Sequence, residues 1–190
     1  MNNDALELYS KEEIKTDIMR YKNNGASFWL CMLAIVLNVA MFIIIYTTKS
    51  CTSDWQLGID LLVNVIFMLA VFLTAEKTKA YKKTSGYVAI VLGAIEILRI
   101  FWIPMKYFKM WQAWSAEAAK VTEEMLSAGK TMEEIALYLP KISGLDSTSF
   151  TWCVVLLAAA CLALVAAGVI AILKSRKLSA HLAKLEERGS

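Results

Sequence analysis

Glu96 and Arg99 stand three residues apart inside an otherwise apolar stretch, Gly86–Pro104, which reads GYVAIVLGAIEILRIFWIP. A carboxylate and a guanidinium at i, i+3 spacing can pair on one helix face. Three further polar residues interrupt other apolar stretches: Asn38, and Asp60 with Asn64 at i, i+4 spacing. Each charge costs about 2.5–3.5 kcal/mol on an insertion scale if left alone at mid-membrane, so a network is expected, with Arg99 bridging Glu96 and Asp60. Such a network has two readings. It fixes helix register, or it lines a hydrated pocket of a channel or carrier. A third reading uses Glu96 or Asp60 as an acid or base on a lipophilic substrate.

Other chemistry has little to stand on. His181 is the only histidine, and Cys31, Cys51, Cys153 and Cys161 contain no Cys-x-x-Cys pair, so no metal site and no cofactor are expected. The segment Ala128–Thr131, AGKT, imitates the end of a phosphate-binding loop, but Glu124 stands where that pattern needs a glycine. No nucleophile has a base beside it, and no catalytic residue is assigned. Cys51 and Cys153 fall at the same membrane face and can meet as a disulfide in an oxidising exterior, while Cys31 and Cys161 read as apolar filler.

The elements that must position these residues follow from composition. Hydrophobic residues make up 58% of the 190-residue chain and charged residues 19%, against about 45–50% and about 25% in soluble domains. The apolar residues gather in four runs, Ser27–Thr47, Leu57–Ala75, Gly86–Pro104 and Phe150–Leu173. Each is close to or above the roughly 20 helical residues that a bilayer core requires. The expected fold is therefore an all-α integral membrane protein, a four-helix transmembrane bundle.

Basic residues set its direction. Thirteen of the 20 Lys and Arg lie in the N-terminal tail, the Glu76–Ser85 link and the C-terminal tail, which places both termini in the cytoplasm. The formal charge of +3 is then a matter of topology and headgroup anchoring, not of nucleic-acid binding. The first 26 residues hold nine charges and do not read as a secretory signal.

Residues 1–26 form a cytoplasmic tail with an amphipathic helix, capped by Ser10 and Glu13, whose Ile14, Ile18 and Tyr21 suit a membrane surface. Residues 27–104 hold the first three spans, and 105–149 form an extracytoplasmic helical hairpin with a stop at Gly129 and a capping box at Thr131 and Glu134. Residues 150–173 are the fourth span. Residues 174–190 are a helical cytoplasmic tail carrying the stripe Leu178, Leu182 and Leu185, and the terminal Gly-Ser reads as a cloning remnant. In the fourth span Ala159, Ala163, Ala167 and Ala171 recur every four residues, a seam along which another helix can approach closely. The expected protein is a non-enzymatic interaction or assembly subunit of a plasma or inner membrane. Its expected partners are membrane lipids and either further copies or a hetero-oligomeric membrane complex.

Overall fold

The computed structural model describes residues 13–19, 21–48, 54–139 and 144–189, and every regular element among them is an α-helix. Residues 13–19 are helical. The five helices that follow are α1 (Gly25–Thr48), α2 (Asp54–Lys79), α3 (Lys83–Ser127), α4 (Met132–Tyr138) and α5 (Ser147–Gly189). Four of them, α1, α2, α3 and α5, are long and apolar enough to cross a membrane. Their outward side chains include Trp29, Val36, Leu62, Leu98, Phe101 and Leu162, each more than half exposed. So much apolar surface is foreign to a soluble protein and is compatible with a multi-pass membrane protein.

Each helix overruns its apolar run, because charged residues do not by themselves end a helix. Lys77 and Lys79 extend α2 through its last turn, where positive charge suits the helix dipole. Asn24 stands just before α1 and is fully buried. Its amide donates to the Ser27 hydroxyl at 2.8 Å, its backbone N–H donates to the Lys79 carbonyl at 3.3 Å, and its side-chain oxygen accepts from Lys174 at 2.9 Å. One residue thereby ties the start of α1 to the end of α2 and to α5.

The expected boundary at Pro104 is corrected: α3 runs through the proline without a break for 45 residues. An interior proline costs about 3 kcal/mol. Ile103 and Tyr107 flank it and are each 1% exposed, and burying two such side chains contributes about 1.5–3 kcal/mol apiece. The burial offsets the lost hydrogen bond, so residues 105–127 prolong the third span instead of opening a separate helix. At about 1.5 Å per residue α3 is about 68 Å long, more than twice a bilayer core of about 30 Å.

The end of α3 and the start of α4 are made as the sequence implies. After α3, Lys130 N–H donates to the Met125 carbonyl and Gly129 N–H to the Leu126 carbonyl, with Gly129 at φ +76°. This is a Schellman stop. Thr131 and Glu134 then form a reciprocal capping box at α4. The residues that imitate a phosphate loop are thus a helix stop followed by a helix start. Ser10 and Pro140 lie outside the described residues.

The chain forms two compact units. One comprises residues up to Ile35, Met68–Ala94 and those from Ala160 onward. Its core is built of small side chains, and α3 and α5 touch backbone to backbone within it. A Cβ added at Gly168 would lie 2.5 Å from the Gly86 carbonyl oxygen, and one at Gly86 would lie 2.8 Å from the Gly168 oxygen. The other unit comprises Val36–Phe67 and Ile95–Ala159. Its core is larger in grain: Met41, Ile45, Ile103, Tyr107, Leu145, Cys153 and Leu157. Phe108 stacks on Phe150 at 4.4 Å. Gly144, at φ +107°, lets the segment before α5 lie on α3, where a Cβ would come within 2.5 Å of the Tyr107 carbonyl oxygen. That carbonyl accepts a hydrogen bond from Leu145 N–H at 3.2 Å.

Candidate functional site

Within the second unit, α1 contributes Asn38, α2 contributes Asn64 and α3 contributes Glu96 and Arg99, and the four side chains bond to one another. Arg99 Nη1 donates to Glu96 Oε2 at 2.9 Å and to Asn38 Oδ1 at 2.5 Å. Arg99 Nη2 donates to Asn64 Oδ1, and Asn38 Nδ2 donates to Glu96 Oε1. The Asn38 amide closes the ring, accepting from the cation and donating to the anion. The Arg99 guanidinium also lies 4.4 Å from the centre of the Phe67 ring, a stacking contact that suits a weakly hydrated planar cation.

This group is dry. Glu96 is 0% exposed, Asn38 and Asn64 are 1%, and Arg99 is 6%. Its formal charges cancel, and the low dielectric strengthens each bond that is made. Among the buried side-chain atoms of the described residues, Arg99 Nε has no hydrogen-bond partner.

Asp60 is not part of that ring. Its Oδ2 accepts from Lys106 Nζ at 2.7 Å and from the Tyr107 hydroxyl at 2.8 Å, and the expected Arg99–Asp60 bridge is replaced by these two bonds. The reason is register. Asp60 precedes Asn64 by four residues, about 6 Å of helix. With Asn64 on Arg99, Asp60 in an antiparallel α2 meets residues later in α3. Lys106 lies seven residues beyond Arg99, two turns along the same face. Its side chain is 38% exposed while that of Asp60 is 3% exposed, so this pair reaches toward the surface.

Sequence reasoning passed over Lys106, Tyr107 and Phe67. The first two carried a usable signal, since a lysine and a tyrosine seven and eight residues after Arg99 continue its face. Taking Pro104 as a helix end hid that continuity. Phe67 gave no signal, because an aromatic residue in an apolar run is ordinary.

The alanine seam lies on α5. Ala163, Ala167 and Ala171 are buried and Ala159 is half-buried, while α3 approaches α5 on another face, at Cys161, Val165, Gly168 and Ile172. A Cβ at Gly93 would meet Val165 at 3.0 Å and the Cys161 carbonyl at 3.3 Å. Cys31, Cys153 and Cys161 are buried. Cys51, and with it the pairing to Cys153, lies outside the described residues. No group of three His, Cys, Asp or Glu side chains that could hold a metal ion occurs among the described residues. His181 Nε2 lies 3.6 Å from Asp17 Oδ1.

The arrangement can do two things chemically. It can lock three helices in one register through a neutral hydrogen-bonded ring, and it can offer a single buried N–H, Arg99 Nε, to an acceptor. Comparison with protein families, with characterised proteins and with solved structures finds no match to this chain.

Proposed function

We propose that the chain is a non-enzymatic multi-pass subunit of a plasma or inner membrane, with both termini in the cytoplasm, that works by assembling with partner chains or further copies of itself. The observation that carries this reading is α4. Only Ile135 of that helix is buried, while Leu137 is 84% and Tyr138 64% exposed. In the charge-based topology α4 lies outside the cytoplasm, beyond the apolar runs, where large exposed side chains suit a contact surface. The α5 seam is not such a surface, because Ala163, Ala167 and Ala171 are buried within the chain. The N-terminal helix, with Ile14, Ile18 and Tyr21 exposed, rests on the cytoplasmic membrane surface in this topology. The dry, charge-neutral ring supports a structural role at the polar centre, and the burial of Glu96 and Asp60 leaves acid–base catalysis with less support.

Native mass analysis of protein extracted gently from its own membrane tests the proposal. The expected result is a complex of fixed stoichiometry, which Leu137→Asp with Tyr138→Asp dissociates without changing thermal stability. A monomer in the unsubstituted protein refutes it.

A second reading, a channel or carrier, is favoured by the unpartnered Arg99 Nε, a buried donor left without an acceptor at the polar centre. Ion or solute flux in proteoliposomes, abolished by Arg99→Lys, would support it over assembly.

A further inference from the structure

The turn joining α2 to α3 is rich in lysine, and its four lysines do not behave alike. Lys79 pairs with Glu76 at 2.7 Å and lies 4.0 Å from the centre of the Phe28 ring, and Lys83 stands over Tyr87 at 5.9 Å. Lys77 and Lys82 have no ion-pair partner among the described residues. Both line a crevice of about 280 Å³, together with Leu73, Thr74, Thr84, Ser85 and Val88.

The crevice is graded along the helix axes. Lys77, Lys82 and Thr84 stand within one turn of the helix ends. Leu73 and Val88 stand six residues inward from Lys79 and Lys82 respectively, about 9 Å deeper at about 1.5 Å per residue. Leu73 is 51% and Val88 43% exposed, so they form an apolar wall open to the surroundings. The Ser85 hydroxyl is occupied by the Lys82 carbonyl at 2.6 Å and the Thr74 hydroxyl by the Ala70 carbonyl at 2.8 Å. Thr84 makes no such bond and is exposed. Two unpaired ammonium groups and a free hydroxyl therefore sit at one end of an apolar slot, on helices long enough to cross a membrane.

We propose that this crevice is a binding site for one anionic phospholipid. Its phosphate lies between Lys77 and Lys82, with the Thr84 hydroxyl as a further donor, and one acyl chain lies against Leu73 and Val88. A soluble anion has no use for the apolar wall, and a zwitterionic lipid has no use for two uncompensated lysines. The inference rests on the helices crossing a membrane and not on the assembly reading, since it concerns a site within one protomer.

Native mass spectrometry of the purified full chain in a nonionic detergent tests it, with phosphatidylglycerol and phosphatidylcholine of matched acyl chains as probes. Each lysine beside an anionic headgroup contributes about fivefold in affinity, so the unsubstituted protein should prefer phosphatidylglycerol roughly thirtyfold. Lys77→Gln with Lys82→Gln should remove the preference, and Lys79→Gln with Lys83→Gln should keep it. Val88→Trp, which fills the apolar wall and leaves every charge in place, should weaken phosphatidylglycerol binding. Glycerophosphate in large excess should not displace the lipid. Equal losses in the two lysine pairs would reduce the effect to diffuse attraction by a basic turn and overturn the proposal. Unchanged binding in Val88→Trp, or displacement by glycerophosphate, would mark a site for free anions and overturn it as well. All readings are taken on the monomer peak, so failure to find a complex leaves this test intact.

Discussion

Arg99→Leu removes three hydrogen bonds and, among the described residues, the only cation bonded to Glu96, whose side chain is 0% exposed. What remains for the Glu96 carboxylate is the Asn38 amide alone. Removing one partner of a buried pair costs about 3–5 kcal/mol. Adding Glu96→Gln to the same variant removes the stranded charge, and the new amide can still meet Asn38. The deficit should then fall to the loss of ordinary hydrogen bonds, about 1–2 kcal/mol. The double variant is therefore expected to be more stable than the single one by about 2 kcal/mol, or about 4–8 °C in melting temperature for a chain of this length. Thermal unfolding in a mild detergent, followed by loss of helical circular dichroism, measures both. An Arg99→Leu variant as stable as the unsubstituted protein would refute the reasoning, because the guanidinium would then have been reaching the headgroups. A double variant as damaged as the single one would refute it too, since the stranded charge would then not be the cause.

Two further outcomes follow from the packing and the caps. Gly168→Ala should destabilise by about 1–3 kcal/mol, because its Cβ meets the Gly86 carbonyl oxygen at 2.5 Å. Gly58→Ala, in a helix with nothing within 4 Å of the added carbon, should instead be neutral or stabilising by up to about 1 kcal/mol, and comparative unfolding of the two variants separates close approach from helix propensity. Asp146 caps α5: hydrogen bonds from the Ser149 side chain, then from nearby backbone N–H groups, hold its carboxyl below the usual carboxylate range. A depressed folded value contributes stability that is present above the unfolded value and is lost as pH falls through the folded one. Stability should therefore decline on acidification below the ordinary aspartate range, and the part of that decline owed to Asp146 should vanish in Asp146→Asn, as acid titrations of the two proteins would reveal.

What was legible in the sequence is what depends on length and local chemistry. The spans needed only apolar runs of bilayer length. The Gly129 stop and the Thr131–Glu134 start needed only residue types at fixed short spacing. The polar ring was visible in outline for a similar reason, because Asn38, Asn64, Glu96 and Arg99 are conspicuous wherever the surroundings are Leu, Ile, Val and Ala. The alanine seam was visible as a small-residue face. That the seam is buried within the chain, while α3 meets α5 on another face through Gly86 and Gly93, depends on tertiary packing, which no local pattern encodes.

Pairing across helices was legible only in part, and Asp60 shows why. Setting depths by the ends of the apolar runs aligns Leu57 with Pro104, which brings Asp60 beside Arg99. That alignment presumes that α3 stops where its hydrophobicity stops. With Pro104 inside the helix, Lys106 and Tyr107 become additional partners two turns beyond Arg99, and the charges can be distributed more economically. Arg99 takes Glu96 and two neutral amides. Asp60 takes the lysine and the phenol, one of which reaches the surface. Two separately neutral pairs leave no buried charge unpaired, whereas one arginine shared by Glu96 and Asp60 would leave a net negative site. Apolar boundaries fix depth to within about a turn, and the choice of partners within that turn is made by charge balance.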